Sequence, residues 1–173
     1  DLFLLARLDA GQYEPAAVPV DLAEVVDEAV ESLLPTAAAS GVALEVSTGG
    51  ERRVMGSERE LGRVVRNLLD NAIRHAPSGT RVFIEIHGRV SLSDRESSVL
   101  LRVTDEGPGF SEELVSSAKL PFVRGDPSRD RGTGGAGLGL AIASGVVEAH
   151  GGVLSLRPGP GGLVEFELPL VAR

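Results

Sequence analysis

The 173-residue chain has no cysteine, and this absence excludes disulfide bonds and thiolate metal sites. It has no apolar run that approaches the roughly 20 residues of a membrane span, and no signal peptide is visible. Basic residues are also scarce, because 17 Lys and Arg are set against 25 Asp and Glu, giving a net charge of −8. Nucleic-acid-binding proteins usually carry a basic face, so this balance argues against a nucleic-acid partner.

What remains is an ordinary globular composition, with 42% hydrophobic and 24% charged residues. It predicts a folded domain with its own core rather than a disordered chain. The sequence begins at Asp1, without Met and within an apolar pattern, so we expect a piece of a longer protein. Residues 1–19 are predicted to be the end of a preceding helix and a linker, with the domain spanning residues 20–173.

Apolar periodicity predicts three long helices, at Leu22–Ala39, Glu58–Ala76 and Leu138–Ala149. Asp21 is an N-cap candidate for the first helix, and Ser57 with Glu60 has the capping-box pattern before the second. Alternating patterns predict strands at Val42–Val46, Arg53–Met55, Thr80–Val90, Ser98–Thr104, Val153–Leu156 and Leu163–Leu168. The order of elements predicts an α/β (α+β) two-layer sandwich, in which a mixed, mostly antiparallel sheet packs on the helices.

Glycine is concentrated just before the third helix, where it occupies five of the eight residues from Gly132 to Gly139. Such density suits a backbone that takes positive φ or approaches a ligand too closely for a Cβ. The helix start would direct free N–H groups and a positive dipole end at the loop, which makes an anion site. A flexible hinge would be glycine-rich too. Residues about 119–136 offer few packing anchors, so we expect them to be mobile.

Two asparagines and an arginine share one flank of the second helix, since Asn67, Asn71 and Arg74 are spaced i, i+4 and i+7. Asp70 is predicted to point away from this flank. Mg²⁺ prefers oxygen ligands, and a neutral amide oxygen ligates it without competing with phosphate for its charge. Arg74 would then meet a phosphate oxygen. The alternative is a solvated helix face.

Asp105 ends a predicted strand and is followed by Gly107 and Gly109. A carboxylate at this place can accept a hydrogen bond from an amino group while a flat ring lies over the glycines. The exocyclic amine of adenine fits, and a ligand without it would leave a buried carboxylate unpaired. The alternative is that these residues form a turn without a ligand.

These blocks, in this order, resemble the sensor histidine kinases of bacterial two-component systems. Asn67–Ala76 resembles their N box and Asp105–Gly109 their G1 box; Pro121–Gly125 resembles their F box and Gly135–Gly139 their G2 box. Gly162–Phe166 is similar to the pattern that ends their catalytic domain, and Leu4–Gly11 resembles the end of the dimerisation helix before it.

The resemblance implies a Bergerat (GHKL) ATP-binding fold with ATP and Mg²⁺ as ligands. Asn71, assisted by Asn67, would hold the metal, Asp105 would read adenine, and residues about 119–136 would form the ATP lid. His75 stands where the family commonly has Tyr. The implied ATP site comprises Asn67, Asn71, Arg74, His75, Asp105, Gly107, Gly109, Phe122, Arg124, Gly135, Gly137, Leu138 and Gly139.

The implied partners are a dimerisation and histidine-phosphotransfer domain of the same protein and a response regulator. The full-length protein would be a homodimer anchored in the inner membrane, with this domain in the cytoplasm. The family's acceptor histidine lies in a His-Glu-x-x-Thr-Pro-type box, and none of His75, His87 and His150 lies in such a box. We therefore expect ATP binding without autophosphorylation.

Two other functions stay open at this point. One is a nucleotide-sensing interaction module that transfers no phosphate. The other is an ATPase of the wider GHKL group, which would need a carboxylate base in the N-box helix. Asp70 and Glu60 are the nearest acids there.

Overall fold

The structure is a computed structural model that describes residues 2–16, 18–89, 97–117 and 138–171. Its elements follow in chain order: α1 Leu2–Asp9, β1 Val18–Asp21, α2 Leu22–Ser40, β2 Ala43–Gly49, β3 Arg53–Gly56, α3 Glu58–His75, β4 Arg81–Arg89, β5 Ser98–Asp105, α4 Glu112–Ser117, α5 Gly139–Ala149, β6 Val153–Leu156 and β7 Leu163–Pro169.

The main sheet has five strands in the order β2-β4-β5-β7-β6. Strand β2 pairs in parallel with β4, and the other neighbours pair antiparallel. Helices α2, α3 and α5 form the second layer, with α3 packed between the other two. The predicted two-layer α/β sandwich with a mixed, mostly antiparallel sheet is confirmed.

Strand β1 differs from the expectation. Val18 and Pro19 were assigned to the linker, but β1 pairs antiparallel with β3, with Val18 opposite Gly56 and Asp21 opposite Arg53. The pairing joins segments far apart in the sequence, and Pro19 is tolerated because β1 pairs only with β3 among the described strands, which leaves the other edge of β1 without ladder bonds. A strand of four residues therefore begins where a linker was predicted.

Local sequence fixes both ends of α2. The Asp21 side chain accepts a 2.8 Å hydrogen bond from the Ala23 N–H, so the predicted N-cap is confirmed. At the other end Gly41 has φ of 68°, the left-handed conformation that glycine adopts without a Cβ penalty. Ser57, in contrast, makes no side-chain cap bond to α3, so the predicted capping box is wrong. In a capping box, the glutamate side chain accepts a hydrogen bond from the N–H of the capping residue. Here the Ser57 N–H donates to His150 Nε2 instead, at 3.1 Å.

The core lies between the helices and one face of the sheet. Alternate side chains of β4 and β5 are buried, as is Phe166 of β7, and α3 contributes a continuous apolar face. The buried residues of β4, β5 and α3 include Val82, Ile84, Ile86, Val99, Leu101, Val103, Leu61, Val64, Val65, Leu68, Leu69, Ala72 and Ile73. Because α3 is held on this face and flanked by two helices, its polar flank is fixed in position. Within the described ranges, no helix combines the length and apolar character needed to cross a bilayer.

Candidate functional site

The middle of α3 contacts the start of α5. Asn67 Nδ2 donates a 3.2 Å hydrogen bond to the carbonyl oxygen of Gly139, the first residue of α5. Since the amide nitrogen is used in this bond, the side-chain oxygen of Asn67 is the atom left to accept or ligate. A residue of the predicted metal site thus lies directly against the start of the helix that follows the glycine-rich segment.

Asn71 lies one helical turn beyond Asn67 and is half-buried. Its side chain makes no hydrogen bond to another residue in the part of the chain that the structure describes. The two asparagines offer neutral oxygen donors, and no cluster of three or more His, Asp or Glu side chains suited to a metal occurs among the same residues. This set fits Mg²⁺, which takes few protein ligands and keeps water and phosphate oxygens as the rest.

Asp105 lies at the end of β5 and is only 6% exposed. Its Oδ1 accepts hydrogen bonds from the Gly107 N–H at 2.7 Å and from the Gly162 N–H at 3.3 Å. Its own N–H donates to the Gly162 carbonyl oxygen at 2.9 Å. These bonds fix the carboxylate and use one of its oxygens, which leaves Oδ2 as the acceptor for a ligand amino group.

Glycines surround this carboxylate because side chains do not fit there. A Cβ at Gly107 would lie 2.6 Å from both Asp105 Oδ1 and the His75 carbonyl oxygen. Gly109 has φ of +76°, and a Cβ there would lie 1.8 Å from the Gly159 carbonyl oxygen. Gly107 and Gly109 are thus required by the packing of the turn itself, and the turn after β5 packs on the end of α3.

Gly162 is part of the same site, although it was not among the predicted site residues. A Cβ on Gly162 would lie 2.0 Å from Asp105 Oδ2, on the oxygen that is left for a ligand. The sequence carried a signal, since Gly159, Gly161 and Gly162 cluster just before β7. Only the pairing of β7 with β5 shows that these glycines lie beside the Asp105 carboxylate.

Arg74 and His75 lie at the exposed end of α3. Arg74 Nη2 pairs with Asp70 Oδ2 at 2.5 Å, and the Asp70 side chain keeps 44% of its surface exposed. The i, i+4 spacing explains the pair. Exposed ion pairs contribute about 0–1 kcal/mol, so this one offers little resistance to a phosphate that competes for Arg74. The backbone carbonyl oxygen of His75 packs against Gly107, and the His75 side chain is exposed.

Leu138 directly precedes α5 and is 7% exposed, so its side chain belongs to the core. Gly139 has ordinary room, since a Cβ there would lie 3.7 Å from Asn67 Cγ. Phe122, Arg124, Gly135 and Gly137, with the predicted lid at residues about 119–136, lie outside the described residues.

The remaining histidines do not join this site. His87 is exposed on β4, with Nε2 3.7 Å from a Glu85 carboxylate oxygen. His150 is buried; Nε2 accepts from the Ser57 N–H, so the proton is on Nδ1, which lies 2.7 Å from the Val146 carbonyl oxygen. Burial lowers the pKa of His150, which keeps the ring neutral.

The family model "Histidine kinase-, DNA gyrase B-, and HSP90-like ATPase" matches residues 56–172. The chain therefore belongs to this ATPase family. Its matched relatives are sensor histidine kinases, and it is an ATP-binding catalytic domain of their kind. It is 40% identical over 171 residues to the probable sensor histidine kinase TcrY of Mycobacterium tuberculosis, covering 98% of this chain and 34% of that protein.

A second relative, the signal transduction histidine-protein kinase BaeS of Escherichia coli, is 33% identical over 172 residues, covering 98% of this chain and 36% of the relative. The chain thus spans about a third of the length of these curated relatives. Among solved structures, a mycobacterial sensor histidine kinase MprB superposes with a TM-score of 0.75 at 32% identity, covering 89% of this chain and 97% of that one. Full-length ShkA in complex with AMPPNP gives a TM-score of 0.78 at 25% identity, covering 99% of this chain and 35% of that one.

Proposed function

We propose that this domain donates the γ-phosphoryl group of Mg·ATP to a histidine on a dimerisation domain, for relay to an aspartate of a response regulator. The observation that supports it is the position of α3. Its middle contacts the start of α5 through Asn67 and Gly139, and its end contacts the Asp105 turn through His75 and Gly107. One helix therefore sets the spacing between an adenine-reading carboxylate and a helix start suited to phosphate.

Phosphoryl transfer depends mainly on positioning and charge neutralisation. Asp105 would accept from the adenine amine and hold the base, while Asn67 and Asn71 would hold Mg²⁺ through their side-chain oxygens. Bound Mg²⁺ would neutralise phosphate charge. The N–H groups at the start of α5 would do the same from the protein side. In the transfer, a P–N bond to the acceptor imidazole forms and the bond from Pγ to the β,γ-bridging oxygen breaks, releasing ADP.

The acceptor imidazole would come from outside the residues described. His150 is buried and hydrogen-bonded at both ring nitrogens, and His87 lies on a strand of the main sheet, away from α3's polar flank. The proposal includes the dimerisation domain as part of the same protein, a homodimeric full-length protein and a response regulator as partner. It also includes cytoplasmic placement of this domain and anchoring of the parent protein in the inner membrane.

Hydrolysis of ATP by the domain itself is the competing function, and the acids of α3 disfavour it. Asp70 is paired with Arg74. Glu60 lies at the start of α3, nearly two turns before Asn67, with its carboxylate 3.6 Å from Arg63 and 3.9 Å from Arg59. Neither carboxylate lies at the contact between Asn67 and Gly139, where an attacking water would need a base.

The test is Asn71→Ala, assayed with γ-labelled ATP, Mg²⁺ and a supplied acceptor domain. We expect the variant to lose label transfer, because a metal ligand is removed while the fold keeps its core. Arg59→Ala, on the exposed side of the same helix, is the matched control and should retain transfer. Full transfer by Asn71→Ala would overturn the metal assignment. Steady phosphate release by the chain alone, without acceptor, would support the ATPase instead.

A further inference from the structure

The segment from α1 to Tyr13 lies along α5. Leu8 fits a notch at Gly145, where a Cβ would lie 3.0 Å from Leu8 Cδ1. Leu4 and Leu5 are buried, and α1 packs on α5. Five residues after Leu8, the Tyr13 ring lies 6.3 Å from the His150 ring, tilted by 42°. The chain thus follows α5 from Gly145 to His150, in the direction of that helix.

Tyr13 contacts a junction of the two helices that carry the nucleotide site. His150, directly after α5, accepts from the Ser57 N–H, directly before α3. On the other side of Tyr13, the Arg7 guanidinium lies 5.6 Å from the ring centroid and donates to the Gln12 carbonyl oxygen. The ring therefore ties α1 and the linker to both α3 and α5.

The contact depends on the Tyr13 ring rather than on its hydroxyl. The hydroxyl oxygen is buried beside Ser57 and Glu60. Burial and the Glu60 charge raise the pKa of Tyr13, whereas the Ser57 hydroxyl and Arg7 act in the opposite direction. The ring, which faces the His150 ring, is the part that holds the junction.

We propose that Tyr13 is a positioning residue, which holds the linker on the junction of α3 and α5 so that the acceptor domain reaches bound ATP. The packing of α1 supports this. Leu4 and Leu5 are buried and Leu8 lies against Gly145, so α1 is held on α5, the helix whose start at Gly139 is expected to bind the phosphates. An acceptor domain attached to α1 would be held on the same helix. This inference rests on the proposed phosphoryl transfer.

The kinetic test uses a protein in which this chain is joined to its acceptor domain. Tyr13→Ala should lower the phosphorylation rate at saturating ATP by about ten- to a hundredfold, the order of loss that a small misplacement of reacting groups causes. Its affinity for a non-hydrolysable ATP analogue should stay unchanged, which separates this loss from a damaged nucleotide site. Tyr13→Phe keeps the ring and should restore most of the rate. Leu34→Ala removes an exposed apolar side chain from α2 and should have no effect.

Docking can be measured without activity, because Tyr13 is the only tyrosine of the chain and tryptophan is absent. In this chain alone, tyrosine emission should be protected from acrylamide, and it should become accessible in Leu8→Glu, which places a charge against Gly145. Emission from the unsubstituted chain that is as accessible as that of free tyrosine would overturn the inference.

The two proposals fail in different ways. Equal phosphorylation rates in Tyr13→Ala and the parent, or a faster variant, would overturn the positioning role alone. A parent protein that binds ATP but never phosphorylates the acceptor would overturn the proposed function, and this role of Tyr13 with it.

Discussion

Asp105→Asn tests the proposed recognition of adenine by the Asp105 carboxylate with almost no change of shape. The amide oxygen of an asparagine can still accept from the Gly107 and Gly162 N–H groups, which lie 2.7 and 3.3 Å from Oδ1 in the parent. The amide nitrogen then replaces Oδ2, the one oxygen left for a ligand. A donor would face the donating amine of adenine, so the variant changes one contact and leaves the turn intact.

The size of the effect follows from the bond that is lost. A hydrogen bond to a charged group contributes about 1.5–3 kcal/mol, and each 1.4 kcal/mol is about a tenfold change in affinity. We therefore expect ATP to bind about 10- to 150-fold more weakly to Asp105→Asn. ITP carries an accepting oxygen in place of the amine, so its binding should be unchanged or improved by the same substitution.

Calorimetric titration with ATP and ITP analogues, in the parent and in Asp105→Asn, measures both effects. Glu106→Gln is the matched control, because it removes an equal charge from the exposed neighbouring side chain. Equal losses for ATP and ITP would show a damaged turn rather than a lost amine contact. Unchanged ATP affinity would refute the assignment of Asp105.

Two further predictions test other parts of the site, and a third tests the buried histidine after α5. Gly162→Ala should abolish ATP binding and lower the melting temperature, since its Cβ would lie 2.0 Å from Asp105 Oδ2. Gly139→Ala is the control and should fold normally, because its Cβ would lie 3.7 Å from Asn67 Cγ. Equal melting temperatures of the two variants would contradict this prediction. Asn67→Ala should weaken binding of an ATP analogue more with Mg²⁺ than with EDTA, and a loss independent of metal would assign Asn67 to the helix contact alone. As pH falls below 6.5, the ordinary pKa of His150, the unfolded chain takes up a proton that the buried ring resists, so thermal stability should fall until the lower folded-state pKa is reached. His150→Gln, which keeps an acceptor for Ser57, should remove that part of the pH dependence; an unchanged slope would contradict the cause.

The features that the sequence predicted well are local ones. Asp21 and Gly41 terminate α2 through bonds to residues within one turn, so their neighbours in the sequence are sufficient to place them. The apolar stripe of α3 repeats with the helical period and marks its buried face. The polar flank that bears Asn67 and Asn71 follows from the same periodicity.

The features that were wrong or missed depend on distant partners. β1 needs β3, and the Ser57 N–H is taken by His150, 93 residues along the chain, so a capping box cannot form. Gly162 reaches Asp105 only because β7 lies beside β5. The Asn67–Gly139 contact likewise joins residues 72 positions apart. Residue spacing within one segment cannot reveal such contacts, whereas the order of the motifs suggested that they meet.

We propose that α3, the Asp105 turn and the start of α5 form one Mg·ATP site. Backbone NMR of the chain, titrated with an ATP analogue and Mg²⁺, tests this site residue by residue. We expect the largest shifts on Asn67, Asn71, Gly107, Gly139 and Gly162. The outer face of the sheet has an open concavity of about 400 Å³, lined by Glu45, Val46, Ser47, Phe83, Ile84, Glu85 and Thr104. Shifts centred there, with the α3 flank unmoved, would contradict the account.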